Sequence, residues 1–202
     1  METASPPRAR SKAAQQQQED RIVAAATAEF ERVGVRRASI ERIAQDAGVS
    51  RSTLYRRFPS KEDLLAEVVV SMRRHFLREI SVALTGLDPR AAVVEAFCLA
   101  VTGFRNNALA KQILADDPGA IDLLIGFEAP QAVDLVGEFS QGIVTTLRAA
   151  GASMPEPDLR MAAETQFRLV SSFAVTSSFA LDIDDADAVR AYAAKFLAPM
   201  IW

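Results

Sequence analysis

The stretch Ser39-Ile-Glu-Arg-Ile-Ala-Gln-Asp-Ala-Gly-Val-Ser-Arg-Ser-Thr-Leu-Tyr-Arg-Arg-Phe58 carries the start and stop signals of two short helices. Ser39 is a good N-cap for the first helix, and Gly48 can take the left-handed conformation that ends it. Between them the apolar residues recur at helical steps: Ile40, Ile43, Ala44 and Ala47. Ser50 is a second N-cap, and Pro59 stops the second helix. The pattern predicts a helix-turn-helix.

The second helix of this pair has one apolar side and one polar side. Leu54 and Phe58 lie four residues apart and share the side that we expect to be buried. The residues left on the outer surface are Arg51, Ser52, Tyr55 and Arg56. Arginine can donate two parallel hydrogen bonds to guanine or phosphate, so this surface suits DNA. The alternative is a pair of packed surface helices whose charges face water.

The surrounding residues resemble the DNA-binding signature of TetR-family transcriptional regulators. The resemblance rests on Ser39-Ile-x-x-Ile-Ala-x-x-Ala-Gly-Val-Ser-x-x-Thr-Leu-Tyr-x-x-Phe-Pro-Ser-Lys-Glu-Asp-Leu-Leu65 and covers about the first third of the chain. Arg51-Ser52 stands where the family usually has a small residue or lysine, and Arg56-Arg57 stands where aromatic residues or histidine are common. The resemblance therefore implies a fold and DNA binding, but no particular operator sequence.

The resemblance implies an all-α fold in two parts. An N-terminal three-helix helix-turn-helix domain would be joined by a long helix to an all-helical C-terminal domain for ligand binding and dimerisation. We expect a disordered basic tail at 1–15, the DNA-binding domain at 16–60, the connecting helix at 61–86 and the effector-binding and dimerisation domain at 87–202. Apolar residues at helical spacing predict that the first helix begins at about residue 17.

Two groups of residues are candidates for contacting DNA. The candidates for base edges or the groove are Arg51, Ser52, Tyr55 and Arg56, and the candidates for phosphate are Ser39, Thr53, Arg57 and Lys61. Lys61 could equally be a solvated lysine at the start of the long helix. Residues 1–79 hold 15 basic against 11 acidic residues, although the whole chain carries a net charge of −3. A locally basic N-terminal part fits a protein that presents one end to DNA.

The second half of the chain concentrates aromatic residues. In the resembled family such residues line an apolar effector pocket, and the candidates here are Phe97, Phe104, Phe127, Phe139 and Phe167. Each could instead be ordinary core. The last two predicted helices, at about 157–181 and 184–199, carry apolar residues that could pair with a second copy to form a homodimer, or could close the core of one protomer.

The composition argues against an enzyme or a metal protein. The chain has one histidine, His75, and one cysteine, Cys98, so the usual nitrogen and sulfur metal ligands are missing and we expect no cofactor. We expect a cytoplasmic protein without a membrane span. The leading hypothesis is a dimeric repressor that binds a pseudo-palindromic double-stranded DNA operator and is released by a small apolar effector. The alternative is an architectural or partner-binding DNA protein without an effector.

Overall fold

The computed structural model describes the backbone of residues 7–116, 132–176 and 178–202. Within these ranges every regular element is helical, as the all-α prediction requires. The helices are α1 (Pro7–Val33), α2 (Ile40–Asp46), α3 (Arg51–Arg57), α4 (Lys61–Ala83), α5 (Pro89–Asn106), α6 (Ala108–Asp116), α7 (Ala132–Ala149), α8 (Glu156–Val175) and α9 (Ala186–Tyr192). A π-helical turn (Ala193–Leu197) and a 3-10 turn (Ala198–Met200) follow α9. None of the helices in the described part of the chain is long and apolar enough to cross a lipid bilayer.

The chain divides into two compact units. The first unit comprises residues 1–72 and 112–118, and the second comprises residues 73–111 and 119–202. The division falls within α4, the predicted connecting helix. The 23 residues of α4 correspond to a rod of about 34 Å at the usual helical rise.

The first helix starts earlier than the sequence predicts. It begins at Pro7 rather than at about residue 17, and the disordered basic tail at 1–15 stays a prediction. Proline is well suited to the first turn of a helix, and the alanine, lysine, arginine and glutamine that follow have high helix propensity. Residues 13–17 are exposed. Over residues 13–17, local propensity rather than burial therefore accounts for the helix.

The core of the first unit is the predicted three-helix core. From α1 it receives Ile22, Ala26 and Phe30, all fully buried; Ile43 of α2 and Leu54 of α3 are also fully buried, and Ile40 and Phe58 are nearly so. The start of α4 adds Leu64, Val68 and Val69. The apolar faces read from the sequence are therefore the faces that pack.

The core of the second unit draws on α5, α7, α8 and the C-terminal turns. Its buried residues include Val93, Phe97, Leu147, Leu159, Leu197 and Ile201. The carbonyl of Trp202 accepts hydrogen bonds from the amides of Ser153 (3.2 Å) and Met154 (2.9 Å). The C-terminal segment thus contributes to the core of its own protomer, and its pairing with a second copy stays a prediction.

Candidate nucleic-acid interface

The α2–α3 pair is shaped by capping interactions that are local in sequence. The Ser39 hydroxyl accepts a hydrogen bond from the amide of Arg42 at 3.3 Å and opens α2. Gly48 has a φ of +67°, a left-handed conformation that favours glycine. The Ser50 hydroxyl then accepts from the amide of Thr53 at 3.1 Å and opens α3. These interactions fix the turn between the two helices within four residues of chain, from Ala47 to Ser50.

The outer face of α3 carries the predicted groove residues. Leu54 is fully buried and anchors the helix. The four candidates Arg51, Ser52, Tyr55 and Arg56 are all exposed. Arg56 makes no ion pair within the described residues. The helix therefore presents two guanidinium groups, a hydroxyl group and a phenol on one surface.

Arg51 is held between a carboxylate and an aromatic ring. Its Nη1 lies 2.5 Å from Oε1 of Glu41 on α2, and both side chains are more than half exposed. Its guanidinium carbon lies 6.0 Å from the centre of the Tyr55 ring, at the limit of a cation–π contact. No sequence pattern indicates the role of Glu41, because the pairing depends on how α2 and α3 pack.

Among the phosphate candidates, two hydroxyl groups have local partners. Besides capping α2, the Ser39 hydroxyl lies 3.1 Å from Oε2 of Glu41. The Thr53 hydroxyl is half-buried and accepts a hydrogen bond from Ser50 at 2.9 Å. Both residues are partly exposed, and a contact with phosphate stays a prediction for each.

Arg57 faces α1 instead of the outer surface. Its Nη1 lies 3.2 Å from Oε1 of Glu19, and its side chain is only 23% exposed. Its Nε is buried without a hydrogen-bond partner within the described residues. In this arrangement Arg57 links the end of α3 to α1, which does not favour the predicted phosphate contact.

Lys61 binds the loop between α1 and α2. Its ammonium group donates to the carbonyl oxygens of Val35 (3.1 Å), Arg36 (3.3 Å) and Ala38 (3.0 Å). A lysine ammonium has three N–H donors. All three are therefore used by the backbone, and the structure gives Lys61 a role that neither sequence interpretation contained.

A buried carboxylate, Glu29, supports the start of α2. It is 4% exposed, its Oε1 accepts from the Ser39 amide at 3.2 Å, and its Oε2 accepts from Nη2 of Arg32 at 2.6 Å. Burial acts to raise the pKa of Glu29, but the hydrogen bonds from Arg32 and Ser39 and the charges of Arg32 and Arg42 outweigh it. The pKa therefore lies below its ordinary value, and Glu29 is ionised at neutral pH. No motif pointed to this residue.

Among the described candidate effector residues, Phe97 and the pair Phe139–Phe167 have different ring partners. Phe97 is 2% exposed and packs in the core against Phe173 and Tyr192, at centroid distances of 6.1 and 5.8 Å. Phe139 of α7 stacks on Phe167 of α8 at 4.8 Å. Phe104 is half-buried at the end of α5. Phe127 lies outside the described residues. These contacts assign Phe97 to ordinary core and leave the others as candidates.

Two buried polar groups lie beside the stacked pair in sequence. Ser140 is 9% and Gln166 is 4% exposed. Neither Oγ of Ser140 nor Nε2 of Gln166 has a hydrogen-bond partner within the described residues. Such groups are costly to bury unpaired, so they are candidates for contacting a ligand or ordered water.

The remaining chemically distinctive residues have ordinary surroundings. His75 is exposed on α4 and pairs with Glu79 at 3.3 Å, as a residue on the polar face should. Cys98 is buried, and burial raises the pKa of its thiol. No cluster of three or more potential metal ligands is found in the part of the chain that the structure describes.

Comparison with known proteins finds a family match for this arrangement. The model of the family described as bacterial regulatory proteins, tetR family, matches residues 22–68. This range holds α2 and α3 together with the parts of α1 and α4 that pack on them. The match covers 47 of the 202 residues, so the likeness to the TetR family is established for the helix-turn-helix region.

Curated relatives agree with the match over about half of their length. The uncharacterized HTH-type transcriptional regulator Rv2250c of Mycobacterium tuberculosis is 34% identical over 94 residues, which are 46% of this chain and 48% of the relative. The chain thus spans about half the length of the curated relatives it matches.

Solved structures share the fold over most of the chain. The TetR-family repressor AlkX of Dietzia sp. superposes with a TM-score of 0.69 and 18% identity, covering 90% of this chain and 93% of that one. A TetR transcriptional regulator from Rhodococcus sp. superposes with a TM-score of 0.53 and 25% identity, covering 91% of this chain and 95% of that one. At such low identity the likeness to AlkX concerns the fold alone.

Proposed function

We propose that this protein is a dimeric TetR-family transcriptional repressor that binds a pseudo-palindromic double-stranded DNA operator and is released by a small apolar effector. The observation that carries the proposal is the exposed face of α3. It presents Arg51, Ser52, Tyr55 and Arg56 together on a helix anchored by the buried Leu54. A helix of this kind fits the major groove of B-DNA, where arginine can read guanine through two hydrogen bonds.

Support for dimerisation comes from exposed apolar side chains near the C-terminus. Met161 is 61% exposed, Phe196 is 54% exposed and Trp202 is 59% exposed. Phe179, which follows α8, is fully exposed. Large apolar groups exposed on a protomer favour burial against a partner, and a twofold mate would bring two α3 helices to the two half-sites of one operator.

Support for an effector comes from the α7–α8 region of the second unit. The stacked Phe139 and Phe167 offer apolar surface, and Gln166 offers an unpaired N–H donor. An apolar molecule that carries one acceptor oxygen would match both features, because binding sites combine apolar walls with a few placed polar groups. The cytoplasmic location expected from the sequence belongs to the same proposal.

DNA binding can be tested with the purified full chain and fragments of its own genome. We expect fragments to be retained at about 50 mM salt, with an affinity that falls steeply as the salt concentration rises. The double variant Arg51→Ala, Arg56→Ala should lose most of this binding. Arg78→Ala removes an exposed arginine from the second unit and should bind like the wild type. No retained fragment at low salt would refute the proposal.

Dimerisation and effector release need separate measurements. Sedimentation at micromolar concentration should give a dimer, and Phe196→Glu should shift it toward monomer because it places a charge in an apolar contact. A dimer that stays on DNA in the presence of every apolar compound tested would favour the architectural alternative. A monomer at all concentrations would contradict the dimeric repressor.

A further inference from the structure

The side chain of Glu41 is fixed at the edge of the α3 surface. Its Oε1 contacts Nη1 of Arg51 at 2.5 Å, and its Oε2 lies 3.1 Å from the Ser39 hydroxyl. Hydrogen bonds from its own amide and from Ser39, together with the charge of Arg51, hold the pKa of Glu41 below its ordinary value. A charged carboxylate therefore lies on the surface that the proposed function turns toward DNA phosphates.

The contact with Glu41 leaves most of the Arg51 guanidinium available. A guanidinium has five N–H donors in a planar fork, and the described residues engage this one only through Nη1. The Nε and Nη2 donors are free to form two parallel hydrogen bonds. The carboxylate on one side and the Tyr55 ring, whose centre lies 6.0 Å from the guanidinium carbon, both favour the observed orientation of the fork before any DNA arrives.

A carboxylate in this position affects specific and non-specific binding in opposite ways. It repels phosphate, so it weakens the sequence-independent attraction on which non-specific binding depends. It also orients the arginine, so less conformational entropy is lost when the fork binds a base edge. Both effects increase the ratio of specific to non-specific affinity.

We propose that Glu41 is a specificity-determining positioning residue, which orients Arg51 for a two-bond contact with a guanine and weakens the binding of unrelated DNA. This inference rests on the proposed function, since it requires that α3 enters the major groove. It assigns to an acidic residue of α2 a role in reading DNA through Arg51.

The test compares base preferences selected from a pool of randomised duplexes. The full-length variants are the wild type, Arg51→Ala, Glu41→Ala and the control Glu31→Ala, which removes an exposed acid of α1. The base preference lost in Arg51→Ala identifies the base pair that Arg51 reads. Glu41→Ala should lose most of the preference at that same base pair, whereas Glu31→Ala should keep it.

Affinity for a duplex of unrelated sequence gives a second measurement. Glu41→Ala should bind it about twofold to fivefold more tightly than the wild type, the range expected for loss of one exposed ion pair and one negative charge. In the Arg51→Ala background, adding Glu41→Ala should change no base preference. Circular dichroism verifies that each variant keeps the helical fold.

The outcomes separate this inference from the proposed function. If the wild type enriches sequences but Glu41→Ala keeps the full preference at the Arg51 base pair, the inference is overturned and the proposed function stands. The inference is also overturned, and the proposed function stands, if Arg51→Ala changes no base preference. Arg51 would then make no base contact for Glu41 to orient. If the wild type enriches nothing and retains no fragment at low salt, both are overturned.

Discussion

Replacing Lys61 with methionine tests the most unexpected contact in the first unit. Methionine keeps a long unbranched side chain but removes the ammonium group that donates to the carbonyls of Val35, Arg36 and Ala38. The bonds to Val35 and Ala38 are partly buried, and the bond to Arg36 is exposed. The exposed carbonyl of Arg36 can bind water in the variant, so only the bonds to Val35 and Ala38 should contribute appreciably to stability.

The size of the effect follows from these exposures. Each partly buried bond should contribute about 1 kcal/mol, and the exposed bond close to nothing, because net contributions depend on what water can replace. Removing a positive charge from the first turn of α4 should return about 0.5 kcal/mol, since the N-terminal end of a helix disfavours cations. The free energy of unfolding of the first unit should therefore fall by about 1.5 kcal/mol, which lowers its melting temperature by roughly 6 to 12 °C.

The assay is thermal unfolding together with amide hydrogen exchange across residues 34–40. The control is Lys111→Met, which removes an exposed lysine of α6 and should change stability by less than about 0.5 kcal/mol. Faster exchange should appear in the α1–α2 loop only for Lys61→Met. A different result would refute the reasoning from the carbonyl partners. In that result, Lys61→Met matches the control in stability and exchange but binds DNA more weakly, and the slope of log affinity against log salt concentration falls by about 0.9. Lys61 would then be a phosphate contact.

Two further predictions concern stability. Glu29→Gln should make stability fall less steeply in acid. The pKa of Glu29 in the folded protein lies below the ordinary 4.5. Its contribution to stability is therefore present above pH 4.5 and is lost as the pH falls through the folded pKa. Unfolding free energies measured between pH 7 and 3 (about the range over which a carboxylate titrates) check this, and an unchanged acid slope would contradict it. Gly103→Ala should destabilise the second unit by about 1 to 3 kcal/mol, because the added Cβ would lie 2.5 Å from the ring of Phe76. Gly137→Ala meets nothing within 4 Å and should be neutral or stabilising by up to about 1 kcal/mol in the same melting experiment.

The predicted effector residues show that a sequence pattern does not distinguish a core residue from a residue that lines a binding site. A phenylalanine at helical spacing is expected to face the inside of the protein, and Phe97 does so. The spacing carries no information on whether the inside is solid core or a binding site. That distinction depends on which neighbours fill the space, and for Phe97 they are Phe173 and Tyr192, more than 70 residues away in sequence.

The sequence by itself determined the helix-turn-helix and the outer face of α3. Ser39, Gly48 and Ser50 act on backbone groups within three residues of themselves, and helical periodicity alone directs Arg51 and Arg56 away from the side occupied by Leu54. Only the tertiary structure decided which of the basic residues stay available to DNA. Arg57 pairs with Glu19 and Lys61 with the carbonyl of Val35, 26 residues away. A long flexible side chain binds whichever partner the packing of distant helices brings within about 3 Å, and no local pattern in the chain encodes that distance.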